Sequence, residues 1–227
     1  MNIARCRTSV SSITQKPSFE SLLVSQLLYG EYCEILREEG YFSFIRVEND
    51  GVEGWVFSGH LQCVNAVEKQ EVLKVKYMEK EGQLFSLGAE FSENELLIDS
   101  ENQSLDTIAR SCIGIPYLHG GRSVFGMDAD GFTQLMYKSQ ELLLPRKASE
   151  QVQLGVVLDF IEESSLGDLA FFENENNEIT HVGMMLENLK IIHVFGEVRI
   201  DDLDISGIYN QELKRHTHKL RCIKRVL

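Results

Sequence analysis

Short runs with close turn signals dominate the first third of the chain. Tyr32 to Leu36 reads as a strand, Glu38-Glu39-Gly40 as a turn, and Tyr41-Phe-Ser-Phe-Ile-Arg-Val47 as the returning strand. Asn49-Asp50-Gly51 then marks a hairpin, because Asp-Gly tolerates the positive φ angles of a tight turn, and Val52-Glu-Gly-Trp-Val-Phe57 follows. Such a series predicts a small antiparallel barrel. Residues 66–103 are charged with brief apolar groups and hold the boundary. Beyond them the period lengthens. Leu105, Ile108, Ala109 and Cys112 recur at helical spacing behind Ser104, a good N-cap, and Gly114 with Pro116 ends that helix. A second helix is expected to begin at Asp128, with Phe132, Leu135 and Met136 on one face. Strand-like runs follow at Leu169 to Phe172, Ile179 to Leu186, Lys190 to Phe195 and Val198 to Ile200. Helices first and an antiparallel sheet afterwards predict an α+β second domain.

Composition narrows the function. The 227 residues carry a formal charge of −13, with 43% hydrophobic and 25% charged residues. That suits a globular chain with a real core and argues against binding the phosphate backbone of a nucleic acid. No run of 18 apolar residues occurs, so no membrane association is expected. Five scattered cysteines form neither a disulfide framework nor a metal motif. A reduced, cytoplasmic protein is the expectation.

The chemistry gathers in four segments. Gly114-Ile-Pro-Tyr-Leu-His-Gly-Gly121 leads into Gly126-Met-Asp-Ala-Asp-Gly-Phe132, and Thr180-His-Val-Gly183 is followed by Lys190-Ile-Ile-His193. If the strands either side of Asn188 pair, His181 and His193 share one face. Two imidazoles opposite a helix N-terminus suit an activated nucleophile. A histidine on a sheet is commonly a satisfied structural residue, so the pair alone defines no site. Asp128 has two readings, helix cap or ligand contact, and Asp130 in the first helical turn complements the macrodipole. His216 and His218, on one face of a terminal strand, are expected to be structural, and Cys112 to be a small buried hydrophobe.

Taken together, these residues resemble the NlpC-type cell-wall peptidases, papain-like cysteine enzymes with an N-terminal bacterial SH3-like domain. Val24-Ser-Gln-Leu-Leu-Tyr-Gly-Glu31 and Glu53-Gly-Trp55 resemble the SH3-like part. Pro116-Tyr117, Gly120-Gly121, Gly131-Phe-Thr-Gln134, Gly167-Asp-Leu-Ala-Phe-Phe172, His181-Val-Gly183, Ile191-Ile-His193 and the ending Arg215-His-Thr-His-Lys-Leu-Arg221 resemble the peptidase part. The resemblance is strongest to γ-D-glutamyl-L-diamino acid endopeptidases that trim murein peptides. It implies an SH3-like barrel over 1–78, a connecting segment over 79–103, and a papain-like domain of helices packed on an antiparallel sheet over 104–227, with the pocket between the two domains. His181 matches the base and His193 the orienting residue. Tyr117, Asp128 and Asp130 lie where the family holds the free amino end of the peptide.

One departure changes the expected activity. The family's second helix opens Asp-Cys-Ser-Gly, with Cys as nucleophile, and here it reads Asp128-Ala129-Asp130-Gly131. A methyl group cannot attack an amide, and loss of a triad nucleophile costs on the order of a million-fold in turnover. Neighbouring positions diverge too. His119 stands where the family usually has Trp, Asp130 where it has Ser, and His193-Val194-Phe195 where near relatives read His-Ala-Ser. A carboxylate beside a thiol raises the thiol's pKa, so Asp130 suits a site released from making thiolate. The expectation is a catalytically inactive homologue that binds a cell-wall peptide or a protein partner. Two alternatives remain: an active cysteine endopeptidase whose nucleophile at 129 has been exchanged for alanine, and an interaction scaffold whose groove Phe195 closes. His119, Asp128, Asp130, His181 and His193 would suit zinc or manganese if they converged. Spacing alone gives no coordination geometry, and neither metal nor cofactor is expected.

Overall fold

A computed structural model gives the structure of the protein over residues 2–92 and 103–226. Seven strands open the chain: β1 (Ile3–Cys6), β2 (Val10–Thr14), β3 (Leu23–Leu28), β4 (Tyr32–Glu39), β5 (Phe42–Val47), β6 (Glu53–Phe57) and β7 (Leu61–Cys63). They form one antiparallel sheet in the order β3-β2-β6-β5-β4-β1-β7. The expected hairpin is present: Gly51 sits at φ 71° and the Asp50 carboxylate accepts from the Val52 amide at 3.1 Å. Alternation places Ile13, Leu27, Cys33, Ile45, Val47 and Val56 in one buried cluster. Strands β1 and β2 escape a hydrophobicity reading because they carry Arg5, Ser11, Ser12 and Thr14. Thr14 is buried with its hydroxyl donating to the backbone, and Ser11 bonds His60 at 2.9 Å.

The sequence predicts no structure between the domains, yet much of that stretch is ordered. Strand β8 (Glu71–Val72) pairs with β11 (Glu90–Phe91), and β9 (Tyr77–Lys80) with β10 (Gln83–Ser86). They enclose Leu73, Met78, Phe85, Ala89 and Phe91, and Tyr29 packs its ring on Phe85 and Phe91. Within the expected connector 79–103, residues 93–102 lie outside the described residues.

The second half begins with helices, as read. Ser104 caps α1 (Leu105–Ser111), its hydroxyl accepting from the Thr107 amide. A small hairpin, β12 (Arg122–Ser123) with β13 (Gly126–Met127), leads into α2 (Ala129–Lys138); α3 (Ala148–Gln151) and β14 (Val156–Val157) follow. Then come β15 (Leu169–Glu173), β16 (Ile179–Met185), β17 (Lys190–Phe195), β18 (Glu197–Asp204), β19 (Gly207–Asn210) and β20 (Arg215–Arg225). Because β20 pairs with both β15 and β19, these six strands close on themselves as a barrel. The helices have seven, ten and four residues, so this half is mostly sheet.

Closure gives the barrel an outside and an inside. Leu169, Phe171, Val182, Met184 and Ile192 face outward and pack against Phe132, Leu135 and Met136 of α2. Ala170, Phe172, Met185, Ile191, Leu203 and Ile223 form a separate cluster on the inner face. Among the described residues no helix is long and apolar enough to cross a membrane.

Candidate active site

Backbone geometry fixes the start of α2. Asp128 is its N-cap: one carboxylate oxygen accepts from the Gly131 amide at 2.8 Å. The other accepts from the Gly120 amide at 2.9 Å and from Arg146 Nη2 at 2.7 Å. Both oxygens therefore shape the turn, as the cap reading requires. Gly120 adopts φ 75°, and a Cβ there would lie 2.8 Å from the Leu23 carbonyl oxygen. The turn's other side meets the end of the second barrel, where Tyr117 donates its amide to the Gly196 carbonyl at 2.8 Å. Ala129, the first residue of α2, and Asp130 are thereby presented to the barrel mouth. Burial is the largest influence on Asp130 and pushes its carboxyl up, and the Asp128 charge adds to this; the Ala148 amide, donating at 3.0 Å, offsets part of it.

Inside that mouth lies a chain of imidazoles. His181 on β16 and His193 on β17 stand on one face, as expected, with His181 Nε2 2.9 Å from His193 Nδ1. His193 Nε2 is 3.0 Å from Asp201 Oδ2 on β18. A carboxylate only accepts, so the His193 proton sits on Nε2, and Nδ1 accepts from His181. Arg199 in turn donates to both Asp201 oxygens, at 2.8 and 3.1 Å. Burial would raise the Asp201 carboxyl, but the bonds from His193 and Arg199 outweigh it and hold it low. Burial also lowers His193 against the pull of Asp201. His181 is held well below the ordinary imidazole value, by burial first and then by His218 and His193.

His218 is the member the sequence reading misplaced. Its spacing of two from His216 places both on one strand face, but the β19–β20 register shifts between Ile208 and Tyr209, skipping Thr217. That bulge separates the pair. His216 turns to Asp204 at 2.8 Å on the surface, whereas His218 stacks on His181 with ring centres 4.1 Å apart. Burial depresses His218 to about 4. Asp201 was also missed, although charged residues at 199 and 201 beside apolar 198 and 200 were a usable signal. Arg146, which anchors Asp128, carried none, because it meets that residue only through the fold.

These groups line a cleft of about 530 Å³ that includes Tyr117, His119, Asp128, Ala129, Asp130, Lys147, His181 and His218. Two expectations need correction. The groove is not closed: Phe195 stands at the rim, edge-on to His218 with ring centres 5.3 Å apart, because Gly196 turns the chain away at φ 76°. Nor does the pocket lie between the domains, since every lining residue falls within 117–218. The first sheet instead braces the turn from behind, through Leu23 and through Gln26, whose side chain accepts from the Arg122 amide at 2.7 Å. Of His119, Asp128, Asp130, His181 and His193 the first four line this cleft, but the five do not bring their ligating atoms together as a metal cluster. The one cluster of this kind among the described residues is His181, His193 and His218.

Comparison with known proteins agrees with this geometry. Residues 114–221 match the NlpC/P60 family and residues 13–61 the bacterial dipeptidyl-peptidase SH3 domain. A γ-D-glutamyl-L-lysine dipeptidyl-peptidase of Bacillus subtilis is 22% identical over 216 residues, covering 77% of this chain and 73% of that one. Its Bacillus cereus namesake is 33% identical over 104 residues, 45% of this chain and 31% of that protein, so the match spans about a third of that relative's length. The crystal structure of a Bacillus cereus NlpC/P60 family protein superposes with a TM-score of 0.78 over 99% of both chains at 18% identity, which is a likeness of fold. The chain carries an NlpC/P60 family domain behind a bacterial SH3 domain.

Proposed function

We propose that this protein binds the free amino end of a cell-wall peptide in the α2 cleft and does not cleave it through a thiol. One observation carries the reading: Ala129 opens α2 at the barrel mouth, the place a papain-like arrangement gives its nucleophile, and no cysteine lines the cleft. Cys6, Cys33 and Cys112 are buried, and burial pushes their thiols up to about 11, 12 and 11. Tyr117, Asp128 and Asp130 supply acceptors of the kind an ammonium group requires, and 530 Å³ accommodates a short peptide. The relatives' names point to γ-D-glutamyl peptides as the ligand class. Five unpaired cysteines suit a reducing compartment, and we place the protein in the cytoplasm.

Titration calorimetry with L-Ala-γ-D-Glu-diaminopimelate, and with its L-Lys counterpart, tests the binding. The expected result is micromolar affinity that an N-acetylated peptide loses, with no product after prolonged incubation. Turnover at an ordinary peptidase rate overturns the inactive reading. Equal affinity for the acetylated peptide overturns the amino-end reading.

A further inference from the structure

Three buried or half-buried imidazoles that share no nucleophile call for an explanation of their own. One ring nitrogen from each of His181, His193 and His218 lies within 4.8 Å of the others. They come from three strands, β16, β17 and β20, of a closed barrel, so backbone pairing holds their spacing. Two of the rings have their outer nitrogens engaged. Asp201 Oδ2 accepts a hydrogen bond from His193 Nε2 at 3.0 Å, leaving Nδ1 as a lone pair aimed at His181. The Thr217 hydroxyl lies 2.9 Å from His218 Nδ1, leaving Nε2 available. A carboxylate behind a ligating histidine is the arrangement that orients metal sites and raises ligand basicity. Asp201 is itself held by Arg199 and Asn210.

We propose that His181, His193 and His218 form a three-histidine site for zinc, with its fourth position open to the α2 cleft. Imidazole donors suit zinc, and three protein ligands plus an open position is a common zinc arrangement. His181 and His218 both line the cleft, and Ala129 beside them leaves the fourth position unobstructed by a larger side chain. Binding requires two adjustments: the set of three nitrogens, spread over as much as 4.8 Å, draws in around the metal, and the His181–His193 hydrogen bond opens. His181 Nε2 and His193 Nδ1 are 2.9 Å apart and share a proton, whereas two nitrogens on a tetrahedral zinc with bonds of about 2.0 Å are ~3.3 Å apart. The His181 proton moves to Nδ1, the rings part by a few tenths of an ångström, and both lone pairs then face the metal. Asp130, on the wall of the same cleft, adds a carboxyl group nearby. The site uses no part of the peptide reading and stands or falls separately.

The test uses the full chain purified without a histidine tag, stripped with chelator and titrated with zinc against a chromophoric chelator, with cobalt(II) as spectroscopic probe. The expected result is one equivalent bound at micromolar or tighter affinity, with the visible bands of four-coordinate cobalt. His218→Gln and His181→Gln should each weaken binding at least tenfold, and His216→Ala should leave it unchanged. Asp201→Asn, a positioning change, should weaken it about 10–100-fold. Circular dichroism identifies any variant that fails to fold, and the ring signals of the three histidines in the folded parent, which should shift together on adding zinc, then decide. Absence of stoichiometric binding overturns the proposal, as does binding that His216→Ala removes or that His218→Gln leaves intact.

Discussion

Arg122 Nη2 lies 2.7 Å from Glu31 Oε1, a buried contact that joins the first sheet to the hairpin preceding α2. Lys138, at the other end of α2, reaches the same oxygen at 2.6 Å and extends to Glu90 at 2.7 Å. Burial acts most strongly on Glu31 and would raise its carboxyl, but Arg122 and Lys138 overcome it and hold it low. Removing one partner of such a group strands the others without compensation. Glu31→Gln should therefore lower the unfolding free energy by about 3–5 kcal/mol, read as a fall in the urea midpoint. An unchanged midpoint would mean that the network contributes no net stability.

Acid should weaken the fold in two stages. His181, His193 and His218 have folded values below 6.5, with His218 at about 4. The unfolded chain thus binds more protons in this range, so stability falls as pH drops from about 6.5 towards 4. Glu31, whose folded value is depressed, adds a further loss as pH falls below about 4.5. Denaturant midpoints measured between pH 7.5 and 4 check the first stage. His218→Gln should flatten it, and a midpoint that rises on acidification would contradict it.

The close nesting of α2 leaves no room for a methyl group at Gly131. A Cβ there would sit 2.3 Å from the Gly121 carbonyl oxygen, a backbone atom that cannot step aside. Gly131→Ala should shift the turn that carries Asp128, at about 1–3 kcal/mol for overpacking, and weaken peptide binding in parallel. Thermal melts and calorimetry on the same sample test both effects; an unaltered melting temperature would show that the turn yields.

Restoring a thiol separates the effect of the missing sulfur from that of its neighbour. Ala129→Cys alone should give a sluggish thiol, because Asp130 in the same helical turn opposes thiolate. Adding Asp130→Ser should speed iodoacetamide alkylation by about tenfold at pH 7, the factor that one unit of thiol pKa represents, and lower the midpoint of its pH profile. Identical profiles for the two variants would remove Asp130 from the account.

Local signals carried much of this structure. Asp50-Gly51 fixed a hairpin through its own backbone freedom, and Ser104 and Asp128 marked helix starts because each cap bonds an amide three residues on. The parity of 181 and 193 placed both imidazoles on one face, since a strand alternates at every residue. Position 129 was equally plain, because the identity of a side chain needs no folding to be known.

What the sequence left open depends on contacts between distant segments. Closure of β15–β20 turned one face of a sheet into an interior, and within it His218 of β20 meets His181 of β16 across the intervening β15. A single bulge then sent His216 to the surface and His218 inward, an outcome that period-two alternation forbids and only strand pairing decides. Arg146 bonds Asp128, and Glu31 bonds Arg122, through space closed by the whole fold. Local conformation is set by each residue's own backbone and near neighbours, whereas the convergence of imidazoles and charges is set by which strands pair, and that is fixed only once the core is packed.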